Sequence, residues 1–225
     1  MTKPRKGPYV WVTWLSRLMA GETKCQHAAW FRTHYTGYTR APSNFQLAVW
    51  TIDHTKLLND LTNSRIALGE TALREDQNQF TVTRPSGLVI SGKPDLVTSD
   101  TQGHHKVWDA KTGSPRQSDV VQVMLYMMCL PHSSALHRGR QFAGCVYYGS
   151  ATKTDIPQKA IDKAFADQVT YFLNILESAK SPACTPSFGE CRYCDITVAD
   201  CPDRHEPPDV PELEPNPSDN PPIPI

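Results

Sequence analysis

The chain has 225 residues, 39% of them hydrophobic, with 23 basic and 23 acidic side chains. That length suits one sizeable core, and no apolar run is long enough to span a bilayer. Seven cysteines, an odd number, do not close a disulfide framework, so a cytoplasmic chain whose cysteines serve metal or redox chemistry is expected. The zero net charge hides an asymmetry. Six acids and one arginine fall after Cys201, which leaves residues 1–201 with 22 basic against 17 acidic groups, compatible with a nucleic-acid partner without requiring one.

The first eight residues, basic and with two prolines, read as flexible, and the apolar stretch Tyr9 to Leu15 is too short and lacks the cleavage site of a leader. A short helix is expected over Ser16 to Ala20, stopped at Gly21, and another over Gln26 to Tyr35, with Ala29, Trp30 and Phe31 on its apolar side. From an N-cap at Ser43 or Asn44 a long helical pattern runs to about Ala67, with Gly69 as its stop. Its buried stripe is expected to hold Trp50, Leu57, Leu58 and Leu61, and His54 lies on that stripe one turn beyond Trp50. A core histidine bonded to a carbonyl and a metal ligand are both open readings of His54.

After Thr71 the period shortens. Phe80 and Val82 alternate, as do Leu88 and Ile90, around the turn Arg84-Pro85-Ser86-Gly87, which predicts an antiparallel hairpin. The run Leu88 to Val97 contains Gly92 and Pro94, suited to a bent strand with a close backbone approach. Val107 to Lys111 reads as the next strand, with the adjacent His104 and His105 on the polar loop before it. A helix capped by Ser118 or Asp119, a strand Phe142 to Tyr148 and a helix Asp155 to Ser178 complete the pattern.

Three short motifs carry chemistry. Asp109 and Lys111 are two apart on a strand and project from one face, an anion beside a cation. A hairpin would bring Asp95 next to Asp109. Two carboxylates converging with an ammonium group fit divalent cation chemistry on a phosphodiester, in which hard oxygen ligands hold Mg or Mn. Gln122 and Tyr126, at i and i+4, share one helix face.

In this order and spacing, G-x-P-D, D-A-K-T-G and Q-x-x-x-Y resemble the PD-(D/E)XK nuclease superfamily, in particular its RecB-type and CRISPR-associated exonuclease branch. The resemblance implies a restriction-endonuclease-like α/β core, a small mixed sheet flanked by helices with the D-x-K strand central. It implies metal ligands Asp95 and Asp109, a catalytic Lys111, and Gln122 and Tyr126 packed on the site. It also implies a histidine ligand on the helix before the first strand. That histidine commonly falls in G-x-x-x-H, and Trp50 stands here where the glycine would be, so Glu70 and Glu75 rival His54 as the third ligand. The expected substrate is DNA, as single-stranded ends, in repair, recombination or CRISPR-type adaptation. A non-catalytic DNA-end-binding module and an end-trimming subunit of a larger complex are the alternatives.

Cys191, Cys194 and Cys201 form a C-x-x-C followed by a third cysteine, and Cys25 or Cys184 would complete four ligands. Four thiolates suit zinc or a 4Fe-4S cluster equally. The resemblance favours the cluster, with Cys25 as the fourth ligand, clipping the C-terminal cysteines to the N-terminal region. The nuclease domain is expected over 1–201, and 202–225, nine of whose 24 residues are proline, as a disordered acidic tail that binds a protein partner or only solubilises.

Overall fold

A computed structural model describes residues 1–42, 46–133, 136–149 and 152–206. The opening residues are ordered into strands, contrary to expectation: β1 (Lys3–Pro4) pairs with β3 (Tyr35–Thr36), and β2 (Tyr9–Trp11) runs parallel to Val89–Ser91. Helix α1 (Val12–Met19) starts four residues earlier than predicted because Val12 and Leu15 join Leu18 in the core, and it ends at Gly21, whose φ of +73° favours glycine. Helix α2 is Gln26–His34, with Ala29, Trp30 and Phe31 buried as expected.

Helix α3 (Leu47–Ala67) stops before Gly69, at φ +80°, and the caps expected at Ser43 or Asn44 lie outside the described residues. Leu58 and Leu61 are buried, but Trp50 is 39% exposed and does not belong to the core. The reason is length. A helix of 21 residues is about 31 Å long, and the strands it crosses have four to six residues, so its N-terminal half, with Leu47, Val49 and Ile52, runs on exposed beyond the sheet.

Strands β4 (Thr71–Arg74), β5 (Phe80–Thr83), β6 (Val89–Gly92), β7 (Leu96–Ser99) and β8 (His105–Ala110) follow. β5 and β6 form the predicted hairpin, Val82 opposite Ile90. The run expected as one bent strand is two: at Lys93-Pro94-Asp95 the chain leaves the three-stranded sheet β2-β6-β5 and enters a five-stranded one. Helix α4 (Gln117–Cys129) and strand β9 (Phe142–Tyr147) come next, then β10 (Lys153–Ile156), where a helix start had been expected. Pro157 ends that edge strand, and helix α5 (Lys163–Glu177) begins behind Asp162, whose carboxylate accepts the Phe165 N–H at 2.8 Å. A five-residue helix, α6 (Phe188–Arg192), precedes the last described segment.

The larger sheet has the order β10-β9-β8-β7-β4, with β8 and β9 parallel and the other pairs antiparallel. This mixed α/β architecture with a central D-x-K strand is the restriction-endonuclease-like fold the sequence predicted. Two glycines let its layers meet. A Cβ on Gly144 would lie 2.5 Å from Val123 and 2.6 Å from Met127, and one on Gly92 would lie 2.7 Å from Phe80 and 2.8 Å from Tyr126. The close approach anticipated at Gly92 is thus present. Among the described residues no helix is long and apolar enough to cross a membrane, and the tail from 207 onward lies outside them.

Candidate metal centre

The β7–β8 register sets Leu96 opposite Trp108, which places Asp95, one residue before β7, beside the end of β8. Asp95 Oδ2 accepts the Ala110 N–H at 2.7 Å and lies 3.2 Å from His54 Nε2. Asp109 is 2% exposed, and Lys111 Nζ stands 2.7 Å from its Oδ2. Among the described residues the Lys111 ammonium is the one polar partner of this buried oxygen. A buried carboxylate oxygen with lone pairs left beyond one ammonium contact, beside a second carboxylate, is an arrangement that suits a hard divalent cation.

The α4 side chains close the ring around it. Gln122 Nε2 donates to Asp109 Oδ1 at 3.1 Å and contacts the Tyr126 hydroxyl at 2.9 Å, while Gln122 Oε1 accepts from Lys111 Nζ at 3.2 Å. One amide therefore reads both ends of the D-x-K pair. The Tyr126 hydroxyl donates to the Lys93 carbonyl at 3.4 Å, joining α4 to the step between the sheets.

Burial lifts the Asp109 carboxyl to about 6, with the Lys111 charge pulling the other way and Asp95 adding to the rise. Burial works against the Lys111 charge too, but Asp109 outweighs it and holds the ammonium above its ordinary value. The Asp95 hydrogen bond raises His54 above the usual imidazole value, against the desolvation that would lower it. Burial, then Asp109 and Asp95, push the Tyr126 phenol well up, so Tyr126 serves as a neutral hydrogen-bonding group.

Of the rival third ligands, His54 is the one whose side chain contacts the Asp95 carboxylate. Glu75 is half-buried, adopts a left-handed φ of 37°, and donates its N–H to the Asp95 carbonyl at 3.0 Å. Glu70 is held by Arg65 in a separate hollow lined also by the buried Trp108, whose side chain alternates with Asp109 along β8. Sequence reading left out three groups that line the same cleft. Asp119, read only as a cap, accepts the Tyr148 hydroxyl at 2.8 Å and the Arg116 N–H at 3.1 Å, and Arg17 and Arg116 stand at the rim. Only the assembled fold brings α1, α3 and α4 to one cleft.

A second cluster lies between the chain ends. Cys25, Cys184, Cys191, Cys194 and Cys201 line one enclosed cavity of about 60 Å³ with His27. The Cys184 and Cys201 sulfurs are 4.0 Å apart, and His27 offers a nitrogen within 4.8 Å of both. Burial and Cys201 push the Cys184 thiol up to about 12. Glu190 on α6 accepts the Lys24 and Cys25 N–H groups at 3.1 and 3.3 Å, and Arg32, 3.7 Å from Cys194 Sγ, pairs with Asp195 at 2.7 Å. These polar bonds tie the N-terminal segment to the C-terminal one.

A carboxylate pair, a lysine and a bridging glutamine thus meet at the centre of a mixed sheet, a set suited to a divalent cation. The model of the PD-(D/E)XK nuclease superfamily matches residues 14–199, and the chain belongs to that superfamily. Membership implies nuclease activity with a divalent cation. Among solved structures, the crystal structure of SSO0001 is similar at 16% identity and a TM-score of 0.45, over 91% of this chain and 90% of that one. A comparison with curated proteins finds no match.

Proposed function

We propose that the protein is a Mg- or Mn-dependent DNA exonuclease acting on single-stranded ends, in repair, recombination or adaptation, with its nuclease domain over 1–201. The observation that carries this reading is the buried Asp109 carboxylate, whose Oδ2 has Lys111 as its one polar partner among the described residues and which stands beside Asp95 at the end of β8. Asp95 and Asp109 would hold the cation, with His54 and the Ala110 carbonyl completing the protein ligands. The cation supplies charge neutralisation and an activated water. Lys111 orients the attacking water and balances charge growing on the phosphate oxygens. Gln122 keeps the Lys111 ammonium against Asp109, and Tyr126 keeps Gln122 in place. Labelled single- and double-stranded DNA incubated with Mn, against an EDTA control and the Lys111→Ala protein, tests this. Cutting by wild type alone, with binding kept by the variant, is expected; undiminished cutting by Lys111→Ala overturns the assignment.

For the thiol cavity we propose a 4Fe-4S cluster held by Cys25, Cys191, Cys194 and Cys201. A buried water needs about 10–15 Å³ of such space, so a cavity of about 60 Å³ walled by cysteines suits a polynuclear group better than one ion. A single zinc is the second reading, favoured by the Cys184–Cys201 spacing of 4.0 Å, close to the roughly 3.8 Å that a tetrahedral ion with Zn–S of about 2.3 Å imposes. Anaerobic purification with a visible spectrum and metal analysis separates coloured iron protein from colourless zinc protein.

A further inference from the structure

The cleft holding Asp95, Asp109 and Lys111 has a volume of about 560 Å³, and two tryptophans line it, Trp11 and Trp50. Trp11 is the last residue of β2, half-buried and edge-on to Tyr9 at 5.9 Å. Trp50 stacks on the His54 ring at 4.8 Å and 22°, and His54 in turn contacts Asp95 Oδ2. The Trp50 indole therefore lies directly on one candidate cation ligand, His54, and one residue away from a second, Asp95. Large aromatic groups left at a wet surface are costly unless something covers them, and Trp50 remains 39% exposed with Leu47, Val49 and Ile52 exposed on the same half-helix.

The cleft also carries cations that form no ion pair among the described residues. Among the described residues the arginine ion pairs belong to Arg32, Arg40, Arg65, Arg84 and Arg204, whereas Arg17 and Arg116 line the cleft, exposed and outside any pair. Indoles beside guanidinium groups are the surface that successive bases and phosphates of a single strand require. A base inside a duplex has both faces stacked and offers none to an indole.

We propose that Trp50 and Trp11 are base-stacking platforms that select unpaired DNA for this site, with Arg17 and Arg116 taking the flanking phosphates. The inference rests on the cleft being the site of phosphodiester cleavage, and it names the residues that set strand specificity. Competing with it is a purely structural role, in which Trp50 only props His54 against Asp95.

The test is equilibrium binding of the full chain, in EDTA so that no cleavage takes part, to a labelled single-stranded oligodeoxynucleotide, the same strand with abasic residues at both ends, and the blunt duplex. Trp50→Ala should weaken binding of the ordinary strand about tenfold or more and leave the abasic strand unchanged. Trp50→Phe should retain most of the affinity. Arg17→Ala with Arg116→Ala should weaken both strands alike and flatten the salt dependence. Because Trp11 also leads into α1, Trp11→Ala is judged only against a matching circular dichroism spectrum, and Trp50 decides the case. Equal losses on ordinary and abasic strands, no loss, or no single-strand binding by wild type would each overturn the proposal, as would a Trp50→Ala protein altered only in Mn affinity. Cleavage by a wild type whose binding ignores bases removes the platform and leaves the nuclease reading standing. Base-dependent binding by a protein that never cuts with Mn does the reverse.

Discussion

The carboxylate cleft and the thiol cavity are both clusters of polar side chains drawn from several elements, yet they are assembled in opposite ways. The cleft draws Asp95, Asp109 and Lys111 from one antiparallel strand pair and Gln122 and Tyr126 from the helix that follows, and hydrogen bonds close it without a cation. The cavity joins residues 25–27 to residues 184–201 through a five-residue helix, turns and a handful of polar contacts. The first is preorganised by a sheet. The second has no sheet beneath it among the described residues, and the proposed cluster would link distant segments there, restricting the unfolded chain so that binding energy becomes folding energy.

The contrast can be broken most directly at Lys111. Lys111→Ala should lower cleavage about 10²- to 10³-fold while its thermal melt stays close to wild type, Asp109 then keeping its proton to higher pH. The matching change in the cavity, Cys191→Ser with Cys194→Ser, should lower the melting temperature by many degrees and abolish bound metal; an unchanged melt would show that the polar contacts suffice to hold the ends. Gly92→Ala should cost about 1–3 kcal/mol in chemical denaturation, since its methyl would press on Phe80 and Tyr126.

Smaller and more informative is the pH dependence of the metal-free cleft. Protonated His54 paired with Asp95 stabilises the fold below its ordinary value of 6.5, and that contribution is lost as pH rises through the raised folded value. Folding also favours the proton on Asp109, so its contribution falls as pH climbs from about 3.8 to about 6. Mn competes with both protons, and the gap between melts with and without Mn should widen from pH 5 to pH 8; a constant gap would mean that neither group binds the ion. The smallest effect belongs to Glu70→Gln, about 1 kcal/mol or less in stability with Mn affinity unchanged, because Arg65 holds that carboxylate in a different hollow.

What the sequence revealed follows the range of the interactions involved. Asp109 with Lys111, and Gln122 with Tyr126, are spaced by the periods of a strand and a helix, so their shared faces were legible before any fold. The Phe80–Ile90 hairpin was legible from its turn. The parallel pairing of Tyr9–Trp11 with Val89–Ser91 joins segments about eighty residues apart and has no local signature. Trp50 was assigned to the core because periodicity shows which face of a helix is apolar, but not where the sheet beneath it ends. Cys184 and His27 were similarly underweighted, since their nearness to Cys201 arises only when the chain ends meet.

The three-residue step from Gly92 to Leu96 has a mechanical consequence. Because it hands the chain from one sheet to the other while carrying Asp95, its length fixes where that carboxylate sits against the end of β8. A loop inserted at the Gly103 turn should leave the Asp95 contact with the Ala110 N–H intact, whereas one added residue at Lys93 should loosen it.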